Sequence, residues 1–180
     1  MAGIAGAVIN NKIGIAGITD YVRLMPIYDG DIDEDTYVAA AIDYAVKAHV
    51  DVILFPSVQE EPFEDDAIAA IKRASEAGIP FICSTGNDGI DISQPGNARY
   101  PCEYTKTIDG VICVAATLTN QMELLSISNY APFVDVAAPG YAFTTTLNGE
   151  YTARAGSSCS AAMISGIAAM LKSASVNPLT

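Results

Sequence analysis

Short apolar runs rich in β-branched residues, at positions 13–16, 22–27, 50–55, 80–84, 111–116 and 134–137, alternate with longer stretches of helical period. Most of these runs are apolar on both faces, as strands buried between two layers must be. A chain that alternates them with helices is restricted to an α/β fold on a parallel sheet. The spacing predicts a helix that follows the acidic segment Asp31-Ile32-Asp33-Glu34-Asp35, where carboxylates suit a helix N-terminus, and continues through Val38, Ala41, Ile42 and Ala45. It predicts a second helix over 64–77, ended by Gly78, and a last one, rich in Ala and Ile, over 158–173. Between residues 144 and 152, Asn148-Gly149 marks a hairpin with a two-residue turn.

No repeat, low-complexity tract or Pro/Gly/Ser linker divides the 180 residues, so they read as one domain over 1–180. With 51% hydrophobic residues the chain can bury a real core. Nine basic against 21 acidic residues give a formal charge of −12, which repels phosphate backbones and anionic lipid surfaces and speaks against nucleic acid as a partner. No apolar run reaches the roughly 18–20 residues of a membrane span, and Met1-Ala2-Gly3 lacks the positive start of a signal peptide. Residues 1–9 are apolar and Gly-rich, like the inside of a domain, so the sequence is expected to open in mid-domain. The acidic stretch 29–35 reads as a solvated loop and helix cap, with cation binding as the alternative.

Four cysteines, Cys83, Cys102, Cys113 and Cys159, contain no CxxC pair or Cys/His cluster of the kind a zinc site uses. Cys102 and Cys113 flank a short polar loop. They fit a disulfide in an exported protein and equally two buried thiols.

Chemistry is concentrated at two glycine-marked turns. Gly156-Ser157-Ser158-Cys159-Ser160-Ala161-Ala162 puts hydroxyls at the start of an apolar helix, behind a residue that permits close backbone approach. A helix N-terminus offers free N–H groups and a positive dipole end, which would stabilise the oxyanion formed when a serine attacks a carbonyl. Ser157 or Ser158 as a plain N-cap is the simpler reading of the motif alone. Ser84-Thr85-Gly86-Asn87-Asp88-Gly89 follows an apolar strand, so the Asn87 carboxamide can face a cleft at the strand's C-terminal end. An ordinary Gly-Asn-Asp-Gly turn would use the same residues.

These two turns belong to a longer series. Ala2-Gly3, Asn10-Asn11-Lys12-Ile13-Gly14-Ile15-Ala16-Gly17, Leu24-Met25-Pro26, Asp51-Val52-Ile53, Ser84 to Gly89, Tyr100-Pro101, Val111-Ile112-Cys113-Val114-Ala115-Ala116-Thr117, Ser126-Ile127-Ser128-Asn129-Tyr130, Val134-Asp135-Val136-Ala137-Ala138-Pro139-Gly140 and Gly156-Ser157-Ser158 resemble, in order and spacing, the subtilisin-like serine proteases. The resemblance covers nearly the whole chain. It implies a three-layer α/β/α fold with a mostly parallel, twisted sheet, incomplete at both ends, and a chain that begins after the family's catalytic histidine. It implies Ser158 as nucleophile and Asn87 as side-chain donor of the oxyanion hole, with Ser57, Val58 and Gly86 lining the substrate cleft. No cofactor is required. Asn11 matches a ligand position of a structural calcium, a plain Asn-Asn turn being the alternative. The implied partners are a peptide or protein substrate and a propeptide or inhibitor, and the implied location is secreted or vesicular.

The resemblance has gaps. His49, the sole histidine, lies in a polar turn between helix and strand and is expected at the surface, so neither base nor aspartate of a triad can be assigned. A serine hydroxyl without an adjacent base is a poor nucleophile, and the 180 residues alone are expected to be inactive. After the serine the family has Met, two small residues, Pro and His, whereas Cys159, Ser160, Ala161, Ala162 and Met163 stand here. In Leu54-Phe55-Pro56-Ser57-Val58-Gln59, Pro56 cannot donate to a ladder and Val58 replaces a glycine, which narrows the cleft. Two functions stay open: a serine endopeptidase completed by upstream residues, and a catalytically dead pseudoprotease that binds a peptide or protein. A nucleotide-binding module is disfavoured, because no GxGxxG or GxxxxGK[ST] loop follows a strand.

Overall fold

The computed structural model describes residues 1–28 and 35–175. The acidic stretch 29–34 lies outside the described residues. Elements follow in the order α1 (Ala2–Gly6), α2 (Asp35–Lys47), β1 (Ile53–Phe55), α3 (Asp65–Glu76), β2 (Phe81–Ser84), a 3-10 turn (Cys102–Lys106), β3 (Val111–Thr117), β4 (Val136–Pro139), β5 (Tyr141–Thr145), β6 (Tyr151–Ala155) and α4 (Ser157–Ala174).

Strands β1 to β4 form one parallel sheet in sequence order, with Ile53 opposite Phe81, Phe81 opposite Val111, and Val114 opposite Val136. Side chains of successive strand residues leave by opposite faces, and that sorts the core into two layers. Ile53, Phe55, Phe81, Cys83, Val111 and Cys113 pack under α2 and α3 with Ala67, Ala70, Ile71 and Ala74. Leu54, Ile82, Ile112 and Val114 face α4 through Ala161 and Ile164, and α1 joins that layer where Ile4 meets Cys159 and Ala162. Helices on both faces make the α/β/α sandwich that the resemblance implied, on the parallel sheet that the alternating pattern predicted.

Two expected strands do not form. Residues 10–14 turn through positive φ at Asn10, Lys12 and Gly14, and residues 17–19 bond instead to carbonyls of Ala7, Ile4 and Ala5 in and just beyond α1. The apolar run 22–27 pairs with no strand among the described residues, and Leu24, Met25 and Ile27 are exposed. β-branched composition alone cannot make a strand that lacks a neighbour. The hairpin is present as β5 and β6, antiparallel from Tyr141–Ala155 to Thr145–Tyr151. Its turn is longer than the two residues expected: Gly149 N–H donates to Thr146 O at 3.3 Å, and only Gly149, not Asn148, has positive φ. A type I′ turn would need both.

Candidate active site

The site gathers where β1, β2 and α4 meet. β2 ends at Ser84, and the chain turns through Gly86 at φ +95 and Gly89 at φ +69, conformations that favour glycine. Opposite this turn α4 begins. Its N-cap, Gly156, has φ +138, and a Cβ there would lie 2.9 Å from Asn87 Oδ1 and 3.2 Å from Asn87 Nδ2. The missing side chain is the space the carboxamide fills.

Through that gap Asn87 Oδ1 accepts the Ser157 N–H at 2.8 Å and lies 3.1 Å from Ser157 Oγ. Ser157 is fully buried, accepts the Gly86 N–H at 3.1 Å and sits 3.1 Å from Gly86 O, so its hydroxyl ties the two turns together. Ser158, the next residue, is half-buried, and its hydroxyl donates to Pro56 O at 3.0 Å. The Ser84 hydroxyl donates to the same carbonyl at 2.9 Å. Asn87 itself is exposed, and no described residue receives its Nδ2. With the Ser157 N–H on Asn87 Oδ1 and the Cys159 N–H on Gly156 O, that carboxamide and the Ser158 N–H are two donor types that could grip one oxygen.

Of the remaining expected residues, Ser57 is exposed and Val58 half-buried, both in the loop between β1 and an antiparallel bridge at Gln59 and Tyr100. Val58 Cγ2 would lie 3.3 Å from a Cβ on Gly86. The two therefore face each other closely. His49 is exposed, in the turn before β1. It stands at the opposite end of the sheet from Pro56 and Ser158 and cannot serve Ser158 as a base. α4 runs unbroken through Ala162 and Met163.

Asn11 Oδ1 already accepts the Ile13 N–H at 2.9 Å in an exposed turn. It fits as one oxygen of a calcium shell, but calcium takes 6–8 oxygens, and no carboxylate cluster gathers among the described residues. Sulfur is another matter: Cys83, Cys102 and Cys113 come within 4.8 Å of one another in the core, a cluster that sequence spacing hides because the three lie on separate elements. Cys102 and Cys113 are joined as a disulfide, and burial raises the Cys83 pKa far above the ordinary thiol range. With two sulfurs bonded together and the third held protonated, no set of thiolate ligands is offered.

Two residues of this region had no assigned role in the sequence. Arg99 is buried, and its guanidinium bonds Asp88 at 3.1 Å and Glu60 at 3.2 Å. Asn129 is wholly buried beneath the Asn87 turn. The Ser-Ile-Ser-Asn-Tyr segment marked Asn129 by its position in the series, and no sequence signal marked Arg99.

Comparison with known proteins agrees with this architecture. The chain is 31% identical to the major intracellular serine protease of Bacillus subtilis, over 94% of this chain and 54% of that protein. It is 31% identical to thermitase of Thermoactinomyces vulgaris, over 96% of this chain and 59% of that protein. The structure of MycP1 with its N-terminal propeptide removed superposes with a TM-score of 0.79 at 23% identity, covering 96% of this chain and 64% of that one. The chain thus spans about half the length of the curated relatives it matches. Because the subtilase family model, Peptidase_S8, matches residues 1–180 without a gap at either end, the chain belongs to the subtilase family.

Proposed function

We propose that this chain carries the nucleophile and oxyanion hole of a subtilisin-like serine endopeptidase, and that the histidine and aspartate which complete it come from outside these 180 residues. One observation carries the reading. Asn87 Oδ1 is held on the Ser157 N–H at 2.8 Å, and this leaves Nδ2 free against Gly156, at the start of α4. In the reaction Ser158 Oγ attacks the carbonyl carbon of the scissile peptide and gives its proton to the histidine. The carbonyl oxygen becomes an oxyanion held by Asn87 Nδ2 and the Ser158 N–H. The amine then leaves with that proton, and water hydrolyses the acyl-enzyme. Here Ser158 Oγ donates to Pro56 O, a bond that must break before a base can take the proton.

Substrates are peptides or proteins that lie along a cleft lined by Ser57, Val58 and Gly86, and a propeptide or inhibitor would fill the same cleft. A structural calcium would draw one oxygen from Asn11. The Cys102–Cys113 disulfide favours an oxidising, secreted or vesicular compartment. Among the described residues no helix is long and apolar enough to cross a membrane.

A fluorophosphonate probe on the full-length protein tests the assignment. Labelling should vanish in Ser158→Ala, and turnover should fall roughly 10⁶-fold, the loss seen in subtilisin when its serine or histidine is removed. The 180-residue chain alone should be comparably inert. Labelling that survives Ser158→Ala would remove Ser158 from the reaction. A pseudoprotease is the second reading, favoured by the close approach of Val58 to Gly86; a full-length protein that binds peptides but neither cuts them nor takes up the probe would establish it.

A further inference from the structure

The turn that carries Asn87 is shaped by a residue from another part of the chain. Asn129 Oδ1 accepts the N–H groups of Asp88 at 2.9 Å and Ile90 at 3.1 Å. Its Nδ2 donates to Thr85 O and to the Asp88 carboxylate, each at 3.0 Å, and its own N–H donates to Gly86 O at 3.1 Å. One buried carboxamide thus uses both of its donors and both of its lone pairs on residues 85–90, the full complement it possesses. Gly86 has no side chain where a Cβ would come within 2.6 Å of Asn129 Nδ2.

Asn129 is in turn fixed from the sheet. The Ser128 hydroxyl accepts the Ala116 N–H of β3 at 2.9 Å and lies 3.4 Å from Thr85 Oγ1. On the outer side Arg99 holds the Asp88 carboxylate that Asn129 also holds. A turn with two left-handed glycines has many conformations open to it. These bonds select the one in which Asn87 reaches Ser157.

We propose that Asn129 is a positioning residue, which holds residues 85–90 so that the Asn87 carboxamide stays on the Ser157 N–H and presents Nδ2 to the oxyanion, and that it affects turnover only through Asn87. The proposal rests on the protease reading for its kinetic part and not for its structural part. No other side chain of this size substitutes: aspartate would lose the donors to Thr85 O and Asp88 and set a like charge beside the Asp88 carboxylate, and an apolar side chain would strand buried polar groups.

The test is a cycle in the full-length protein, with Asn129→Ala, Asn87→Ala and both together, read by hydrolysis of fluorescein-labelled casein at a temperature where circular dichroism shows each variant folded. Asn129→Ala should lower kcat about 10- to 100-fold with KM changed less than about threefold, since loss of an oxyanion donor itself costs roughly 10²–10³ in subtilisin. On the Asn87→Ala background the same substitution should cost less than about threefold, because the two act as a unit. Equal losses on both backgrounds overturn the proposal. Should Asn129→Ala fail to fold, Asp88→Asn takes its place and should show a smaller kcat loss that likewise disappears with Asn87→Ala. Crystal structures of Asn129→Asp or Asp88→Asn decide the structural part without any turnover. Asn87 should leave the Ser157 N–H, and a variant in which that bond keeps its length overturns the proposal, whereas an inactive wild type would overturn only the protease reading.

Discussion

Beneath α2 and α3, Ala67, Ala70, Ile71 and Ala74 have no exposed surface, while on the side of α1 and the β5–β6 hairpin Val8, Ile13, Leu24 and Phe143 stand 48–67% exposed. The same sheet serves both sides. Its α2/α3 face is closed by helices that the chain supplies within residues 35–76, its other face is closed at the centre by α4, and beyond α4 the margin of that face carries a short helix, irregular backbone over 7–28 and a hairpin whose apolar side chains meet water. Apolar burial is therefore complete under the helices on both faces and falls away at the margin of α1 and the hairpin, and the site lies in the seam where the strand ends stand beside α4. Polar bonds, not burial of apolar surface, hold that seam.

The contrast is most easily broken by truncating one large apolar side chain on each side. Ile71→Ala on the closed face should cost about 2–5 kcal/mol, because the transfer of its methylenes and the cavity left behind add. Phe143→Ala, at 67% exposure, should stay within about 0.5 kcal/mol. Urea unfolding monitored by circular dichroism reads both, and comparable losses would show that the open side is packed in solution.

The seam comes next in size. Gly156→Ala combines a left-handed φ with a Cβ that would crowd Asn87 Oδ1 and Nδ2, and a non-glycine residue in such a conformation costs on the order of 1–3 kcal/mol. Urea midpoints should show a loss below that of Ile71→Ala. Full stability in Gly156→Ala would mean that α4 can start without seating the carboxamide.

The same division decides what the sequence could reveal. On the closed face, the period of residues 38–45 and 64–77 and the two-sided apolar strands near 53, 81 and 111 carried their elements plainly, since burial patterns are written in residue type. On the open side, runs 13–16 and 22–27 looked like strands by composition, yet a ladder depends on a partner and no local pattern records one. The five residues of α1 are too few for any helical period. At the site, glycine neighbours marked the two turns and the family resemblance picked out Ser158 and Asn87 within them, whereas Asn129 works through contacts with residues about forty positions away. Cys83 joined the Cys102–Cys113 pair unannounced for the same reason.

The smallest expected effect sharpens the contrast through pH. The Asp88 carboxyl is held below its ordinary value, first by the hydrogen bond from Asn129 and then by Arg99. A group whose folded pKa is depressed contributes stability above its unfolded value, roughly 3.9 for aspartate, and loses that contribution as pH falls through the lower, folded value. Half of the Asp88 side chain is exposed, so solvent screening keeps the contribution below about 1 kcal/mol. Urea midpoints from pH 6 to pH 2 should therefore show Asp88→Asn less stable than wild type near neutrality and converging on it in acid. Ile71→Ala should track the wild-type profile at a constant offset, because it removes only apolar atoms from a core cluster that holds no carboxylate. An Asp88→Asn profile parallel to wild type throughout would mean that the carboxylate is not held at the seam in solution, and the turn carrying Asn87 would then depend on backbone contacts and on the bonds of Asn129 to Thr85 O and to the Asp88 and Ile90 N–H groups.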